Sequence, residues 1–331
     1  MTRVTILGAG VAGLTAALEL SERGAEVRVV ERAARLGECA CAWCAGGMLA
    51  PWCEGESAPA QVVELGALAL DWWARRVPGV RRNGTLVVAA PRDAGEIDRF
   101  AQRTQRWRRV DEAGVAALEP DLAGRFRSGL FYPDEGHLDP RAALGALRDS
   151  LAARGVQIEY GVDGTTAAEG AVLDCRGFAA RDVLSDLRGV RGEMLILRTR
   201  EIALSRPVRF LHPRIPLYVT PRADGLFMVG ATMIESSGKG GVTTRSAIEL
   251  LSAAYALHPA FGEAEIVEMR ADVRPAFPDN LPRLMRRDAV WHLNGFYRHG
   301  FLLSPAFAQR AAEAIVKGHA EHERTVVMAC G

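Results

Sequence analysis

Val4-Thr5-Ile6-Leu7-Gly8-Ala9-Gly10-Val11-Ala12-Gly13-Leu14 opens the chain, and its reading decides the fold. The first four residues read as a buried strand, and an apolar-faced segment over 14–23 reads as a helix. Between them Gly8 permits a tight turn, Gly10 lets backbone approach a pyrophosphate, and Gly13 lets helix and strand pack closely. The start of that helix then aims unpaired N–H groups at phosphates. A second strand, Glu26–Glu31, ends in a carboxylate eighteen positions after Gly13, where it can accept hydrogen bonds from an adenosine ribose. A bare GxGxxG says little. Set between a strand and a helix and followed by a strand-end acid, it predicts a βαβ dinucleotide site.

Outward from this unit the chain is ordinary for a globular enzyme. Its 331 residues suffice for one intricate domain or two ordinary ones, and two is the expectation. With 49% hydrophobic and 24% charged residues and no long block of like charge, disorder is not an option. A formal charge of +1 gives no field to draw the protein to nucleic acid or anionic lipid, which leaves small-molecule chemistry. No apolar run approaches the roughly 20 residues that span a bilayer. The chain begins MTRVTILGAG without a signal-peptide pattern, so a cytoplasmic location is expected.

Helical patterns recur over 60–75, 140–154, 244–257 and 305–317, with Pro140 and Pro305 suited to first-turn positions. Strand-like runs fall at Thr85–Ala89, 192–197, Leu217–Pro221 and Leu226–Gly230. These do not alternate with helices, which predicts a second, mostly antiparallel sheet. FAD and NAD share the opening fingerprint, so other segments must separate them. The later cluster Gly238, Gly240, Gly241 lacks the spacing for a second dinucleotide. A single site favours an enzyme that takes electrons from its substrate and passes them to oxygen or a carrier.

Three further segments carry a resemblance. They are Ala45-Gly46-Gly47-Met48-Leu49-Ala50-Pro51 with Glu54 behind it, and Tyr218-Val219-Thr220-Pro221-Arg222 followed by Gly230-Ala231-Thr232-Met233. The third runs from Val273-Arg274-Pro275 through Asp279, Pro282 and Gly295 to Arg298-His299-Gly300-Phe301-Leu302-Leu303-Ser304-Pro305. Together they resemble the D-amino-acid oxidase family of FAD-dependent oxidoreductases, in particular the glycine oxidases of thiamine biosynthesis. The resemblance implies an α/β plus α+β fold. A Rossmann-like FAD-binding domain would occupy 1–75, 136–185 and 271–331, and a substrate domain with a mostly antiparallel sheet 76–135 and 186–270.

The same resemblance implies roles for residues. Arg274 would hold the substrate carboxylate, since guanidinium offers a planar fork for two parallel charge-assisted hydrogen bonds. Tyr218 would meet the same carboxylate or its entry, Arg298 would lie near the substrate, and Met48 and Met233 would wall a small pocket. Each has a plainer reading: a surface ion pair for the arginines, core packing for the tyrosine and methionines. Non-covalent FAD would be held by Gly8, Gly10, Val11, Ala12 and Gly13, with Glu31 at the ribose and Arg32 beside it among the cofactor contacts. Cys41, Ala45, Gly46, Gly47 and Met48 would follow the cofactor, and Val162, Cys175 and Gly177 would close around it. Arg298, His299, Gly300, Phe301 and Leu302 would lie against the flavin, where a helix N-terminus stabilises negative charge. His299 reads as a structural hydrogen-bonding group, so no acid–base residue is nominated.

Four of the six cysteines, Cys39, Cys41, Cys44 and Cys53, crowd one stretch. Their spacing suits neither a zinc nor an iron–sulfur site, and reduced thiols with no metal are expected. The expected reaction is oxidation of glycine or a similar small amino acid to an imino acid, then to a 2-oxo acid and ammonia, with oxygen reduced to hydrogen peroxide. Sarcosine, other N-substituted glycines and D-amino acids are rival substrates; an NAD-dependent dehydrogenase and a non-catalytic redox sensor are rivals of other kinds. The family implies a homo-oligomer.

Overall fold

The computed structural model describes residues 2–164, 170–212 and 216–317. The expected 271–331 segment runs past them, and Cys330 lies outside the described residues. A six-stranded sheet carries β1 (Arg3–Leu7) at its centre. The order is Arg283–Arg287, Val290–Asn294, Ala171–Asp174, β1, β2 (Glu26–Glu31) and Ile158–Tyr160. Every pairing is parallel except the first, which is antiparallel. Four of the five residues of β1 are buried, as expected of a parallel strand covered on both faces.

The helix α1 (Val11–Glu22) follows the glycine turn, three residues ahead of the expected 14–23. It is apolar nearly all round because it is covered nearly all round: Leu14, Ala16, Ala17, Leu18 and Leu20 are all buried. Each fully buried leucine contributes about 1.5–3 kcal/mol relative to exposure.

The second sheet has nine strands. Its order is Ile234–Glu235, Arg188–Arg198, Leu226–Gly230, Leu217–Pro221, Val208–Leu211, Thr85–Ala89, Ser128–Tyr132 and Arg108–Asp111, with Glu265–Ala276 also paired to Arg188–Arg198. Only Val208–Leu211 against Thr85–Ala89 is parallel, so the sheet is mostly antiparallel. The strand expected over 192–197 is the middle of a longer one. Glu265–Ala276 runs unbroken through 270/271, where a domain boundary was expected.

Two helical expectations need correction. The pattern over 60–75 is two helices, Ala60–Gly66 and Ala69–Arg76. The break lets Gly66 sit on Leu302, where a Cβ would lie 2.7 Å from Leu302 Cγ, while Trp72 and Trp73 both enter the core. Pro305 is not in a first turn either, because its helix is Gly300–Val316 and the proline sits inside it. A proline there leaves the carbonyl four residues back without its helical donor. That carbonyl, Phe301 O, accepts instead from Trp73 Nε1 at 2.8 Å. Among the described residues no helix is long and apolar enough to cross a membrane.

Candidate active site

The carboxyl ends of β1, β2, Ala171–Asp174 and Val290–Asn294 open on a cavity of about 510 Å³. Ligands of parallel sheets bind outside such ends. At its deep end Gly8 has φ +102°, and a Cβ there would lie 2.9 Å from the Cys175 carbonyl oxygen. The N-terminus of α1 has no side-chain cap and no acid in its first turn, so its N–H groups remain available to an anion. Glu31 ties the turn down: Ala9 N–H donates to its Oε2 at 2.8 Å and Ala33 N–H to its Oε1 at 2.9 Å. Carboxylate lone pairs remain for ribose hydroxyls. The Val162 N–H donates to Glu31 O at 3.1 Å and Cys175 N–H to Leu7 O at 2.8 Å, which brings both segments to the same edge.

At the other end Arg274 projects from Glu265–Ala276 over Gly192, where any Cβ would collide with the guanidinium. Its Nη1 donates to Thr232 O at 3.0 Å, and its other donors have no partner among the described residues. Tyr218 rises beside it from Leu217–Pro221 into space left by two glycines. A Cβ on Gly46 would lie 2.5 Å from the tyrosine ring, and one on Gly230 3.2 Å from its hydroxyl. Burial pushes the phenol pKa up, so the hydroxyl stays a donor. Arg274 and Tyr218 thus offer uncommitted N–H and O–H groups to one anion. Met48 lines the wall, and Met233, half exposed, lies where Tyr297 Oη contacts its sulfur at 3.3 Å.

Arg298 is differently engaged. Its Nη2 lies 2.7 Å from Glu54 Oε2 and donates to Ser57 Oγ at 2.7 Å. Arg209 Nη1 reaches Glu54 Oε1 at 3.3 Å, and His299 Nδ1 stands 3.5 Å from Oε2. Burial pushes the Glu54 carboxyl up, but the Arg298 and Arg209 guanidinia outweigh it and hold its pKa at about 2. Burial lowers His299 to about 4, so it is neutral near pH 7 and pinned at the start of Gly300–Val316. Behind Glu54, fully buried Glu135 accepts the Cys53 N–H at 2.7 Å, and burial raises its carboxyl pKa to about 7.

Cys39, Cys41, Cys44, Cys53 and Cys175 are unpaired. Burial above all pushes Cys41 to about 12 and Cys44 to about 11, so neither offers a thiolate near neutral pH. No group of three or more His, Cys, Asp or Glu among the described residues is arranged to hold a metal.

One cavity therefore gathers segments from residue 7 to residue 302. The family described as FAD dependent oxidoreductase (DAO) matches residues 3–314. The chain belongs to that family. A protein of Rhizobium etli with the provisional name thiamine biosynthesis oxidoreductase ThiO is 54% identical over 97% of this chain and 99% of its own length. A glycine oxidase of Pseudomonas putida is 28% identical, covering 93% and 92%. Among solved structures, glycine oxidase from Bacillus cereus superposes with a TM-score of 0.81 at 25% identity, covering 97% and 99%.

The residues of this oxidoreductase fit FAD on grounds of their own. Uncapped helix N–H groups, a turn where side chains would collide, and a strand-end carboxylate suit the pyrophosphate and ribose. Every nominated residue lines the cavity except Gly13, which packs α1 against the backbone of Gly8. Sequence reading passed over Arg209, Lys239 and Asp272, and quoted Glu54 without giving it a role. Asp272 had a signal, because Arg270, Asp272 and Arg274 recur at the two-residue period of a strand face. Arg209 had none: its neighbours form no motif, and only the sheet brings it to Glu54.

Proposed function

We propose that this FAD-dependent oxidoreductase is a glycine oxidase. On this reading it converts glycine to the imino acid, which water hydrolyses to the 2-oxo acid and ammonia while oxygen becomes hydrogen peroxide. One observation carries the proposal: Arg274, with donors to spare, stands beside the free Tyr218 hydroxyl in a cavity continuous with the α1 N-terminus. When bound, FAD supplies the acceptor for the hydride leaving the α-carbon. The chain's own task is orientation. Arg274 and Tyr218 fix the carboxylate, Gly46 and Gly192 leave the room in which they do so, and Met48 and Met233 limit the space beside them. No base is assigned, since burial leaves His299 with a pKa of about 4 and the guanidinia hold Glu54 at about 2, which makes both weak proton acceptors. The substrate reacts as its free amine, the ammonium proton passing to solvent water as it binds.

The Rhizobium relative's name supports a place in thiamine biosynthesis. We place the protein in the cytoplasm as a homo-oligomer. Its FAD-binding part would be 1–75, 136–185 and 271–331, and its substrate part 76–135 and 186–270.

The test is direct. Purified protein is yellow, with flavin bands at roughly 370 and 450 nm. Arg274→Ala raises KM for glycine by well over tenfold (about 1.4 kcal/mol per tenfold) and retains the flavin. An unchanged KM removes Arg274 from the carboxylate, and a colourless protein that does not take up FAD removes the whole reading.

A further inference from the structure

The glycine cluster that failed as a second fingerprint forms a loop over 236–242 that carries Lys239, one of only two lysines in the sequence. Lys239 lines the cavity. No hydrogen bond or ion pair engages its ammonium among the described residues.

The loop is exposed but its base is fixed. Buried Arg191 donates Nη1 to Gly238 O at 2.9 Å and Nη2 to Gly241 O, one carbonyl on each side of the tip. Arg191 is held in turn by fully buried Glu193, whose Oε1 accepts from its Nε at 2.9 Å and its Nη2 at 2.7 Å. Glu193 N–H donates to Thr232 Oγ1 at 2.9 Å, and the Thr232 carbonyl accepts from Arg274. A single hydrogen-bonded chain therefore joins the lysine loop to the carboxylate-binding arginine. Buried ion pairs add little net stability, because desolvation offsets their attraction. What this pair provides is a fixed placement of two cations about one cavity.

The charges there do not balance. Arg209, Lys239, Arg274 and Arg298 face this end, against Glu54 and Asp272. Glu54 is taken up by Arg209 and Arg298, while Asp272 acts electrostatically on Arg270, Lys239 and Arg274 together and closes an ion pair within 4 Å with none of them. A substrate's α-carboxylate matches Arg274 and leaves positive charge over at the mouth. Zwitterionic glycine brings nothing to meet it. An amino acid with a second anionic group does.

We propose that Lys239 is a second anion contact, held by the Arg191–Glu193 clamp, which gives this enzyme a preference for amine-bearing dicarboxylic acids over monocarboxylic ones. The inference rests on Arg274 as the carboxylate site, and its test separates the two claims. Acetate and malonate are redox-inert probes that can be titrated into the FAD-loaded protein and read by flavin absorbance. Malonate binds at least tenfold tighter than acetate, and Lys239→Met reduces that ratio to within about twofold. A parent protein without the preference, or a ratio unmoved by Lys239→Met, overturns the proposal. Arg274→Ala weakens both probes; if it weakens neither, the carboxylate reading is what fails.

Turnover gives a second measure. The kcat/KM ratio of N-(carboxymethyl)glycine or of D-aspartate to glycine falls at least tenfold in Lys239→Glu, and constant ratios for both count against the proposal. Amine-directed labelling supplies a third, with Lys317 as internal control. Malonate slows the labelling of Lys239 alone, and equal labelling with and without malonate contradicts the contact.

Discussion

Glu135 shows what a single buried side chain does to the pH behaviour of the protein. Its folded pKa of about 7 lies above the ordinary 4.5, chiefly because burial opposes its charge. Between those values the folded state holds the proton and the unfolded state releases it, so this group's stabilising contribution is whole below pH 4.5 and lost as pH rises through 7. Glu135→Gln removes the titration. The variant is expected to be more stable than the parent at pH 8 by about 1–3 kcal/mol and to show a smaller Tm difference between pH 5 and pH 8, measured by thermal unfolding. A parent-like pH slope would refute this. Nothing in the sequence marks Glu135, because the groups that meet its buried carboxyl, the Cys53 N–H and the Thr85 side chain, come from distant parts of the chain. Arg274 and Tyr218 were legible for the opposite reason: each stands in a motif, and the glycines that make room for them, Gly46, Gly192 and Gly230, are themselves in the sequence.

At the scale of elements, chemistry local to a segment could be read, and chemistry supplied from elsewhere could not. The glycine spacing and the apolar runs that mark β1 and β2 are set by residues a few positions apart, and the boundaries of these strands differ little from expectation. Pro305 was misplaced because its tolerance inside a helix depends on an indole 232 positions away in sequence. That dependence can be tested. Trp73→Phe leaves the Phe301 carbonyl unsatisfied and costs about 1–3 kcal/mol in denaturant unfolding. In a Pro305→Ala background residue 305 regains its N–H and can bond that carbonyl, so the same substitution costs less there. Equal costs in both backgrounds would show that the indole hydrogen bond does not compensate for the proline.

At the scale of the whole molecule the cavity draws walls from both sheets, with Gly8 and Glu31 at one end and Arg274 and Tyr218 at the other. FAD bound there stabilises the native state by mass action, by about 2.7 kcal/mol at a free concentration of a hundred times Kd. Stripping the flavin is expected to lower Tm by several degrees, and adding FAD back to restore it in a concentration-dependent way. A Tm indifferent to FAD would mean that the cofactor is not held by the folded site.

The central position of β1 also sets a timetable. The first strand made must wait for Ala171–Asp174, and that strand for Val290–Asn294, before the middle of the sheet is complete. At roughly 5–20 residues per second, the ribosome needs some 15–60 s to get that far. Until then an apolar strand and half a phosphate cradle are in solution without the partners that bury them. Long-range parallel pairing of this kind is slow to form and exposed to aggregation. Yield in a host should therefore respond to chaperone supply and growth temperature more than the stability of the finished enzyme would indicate.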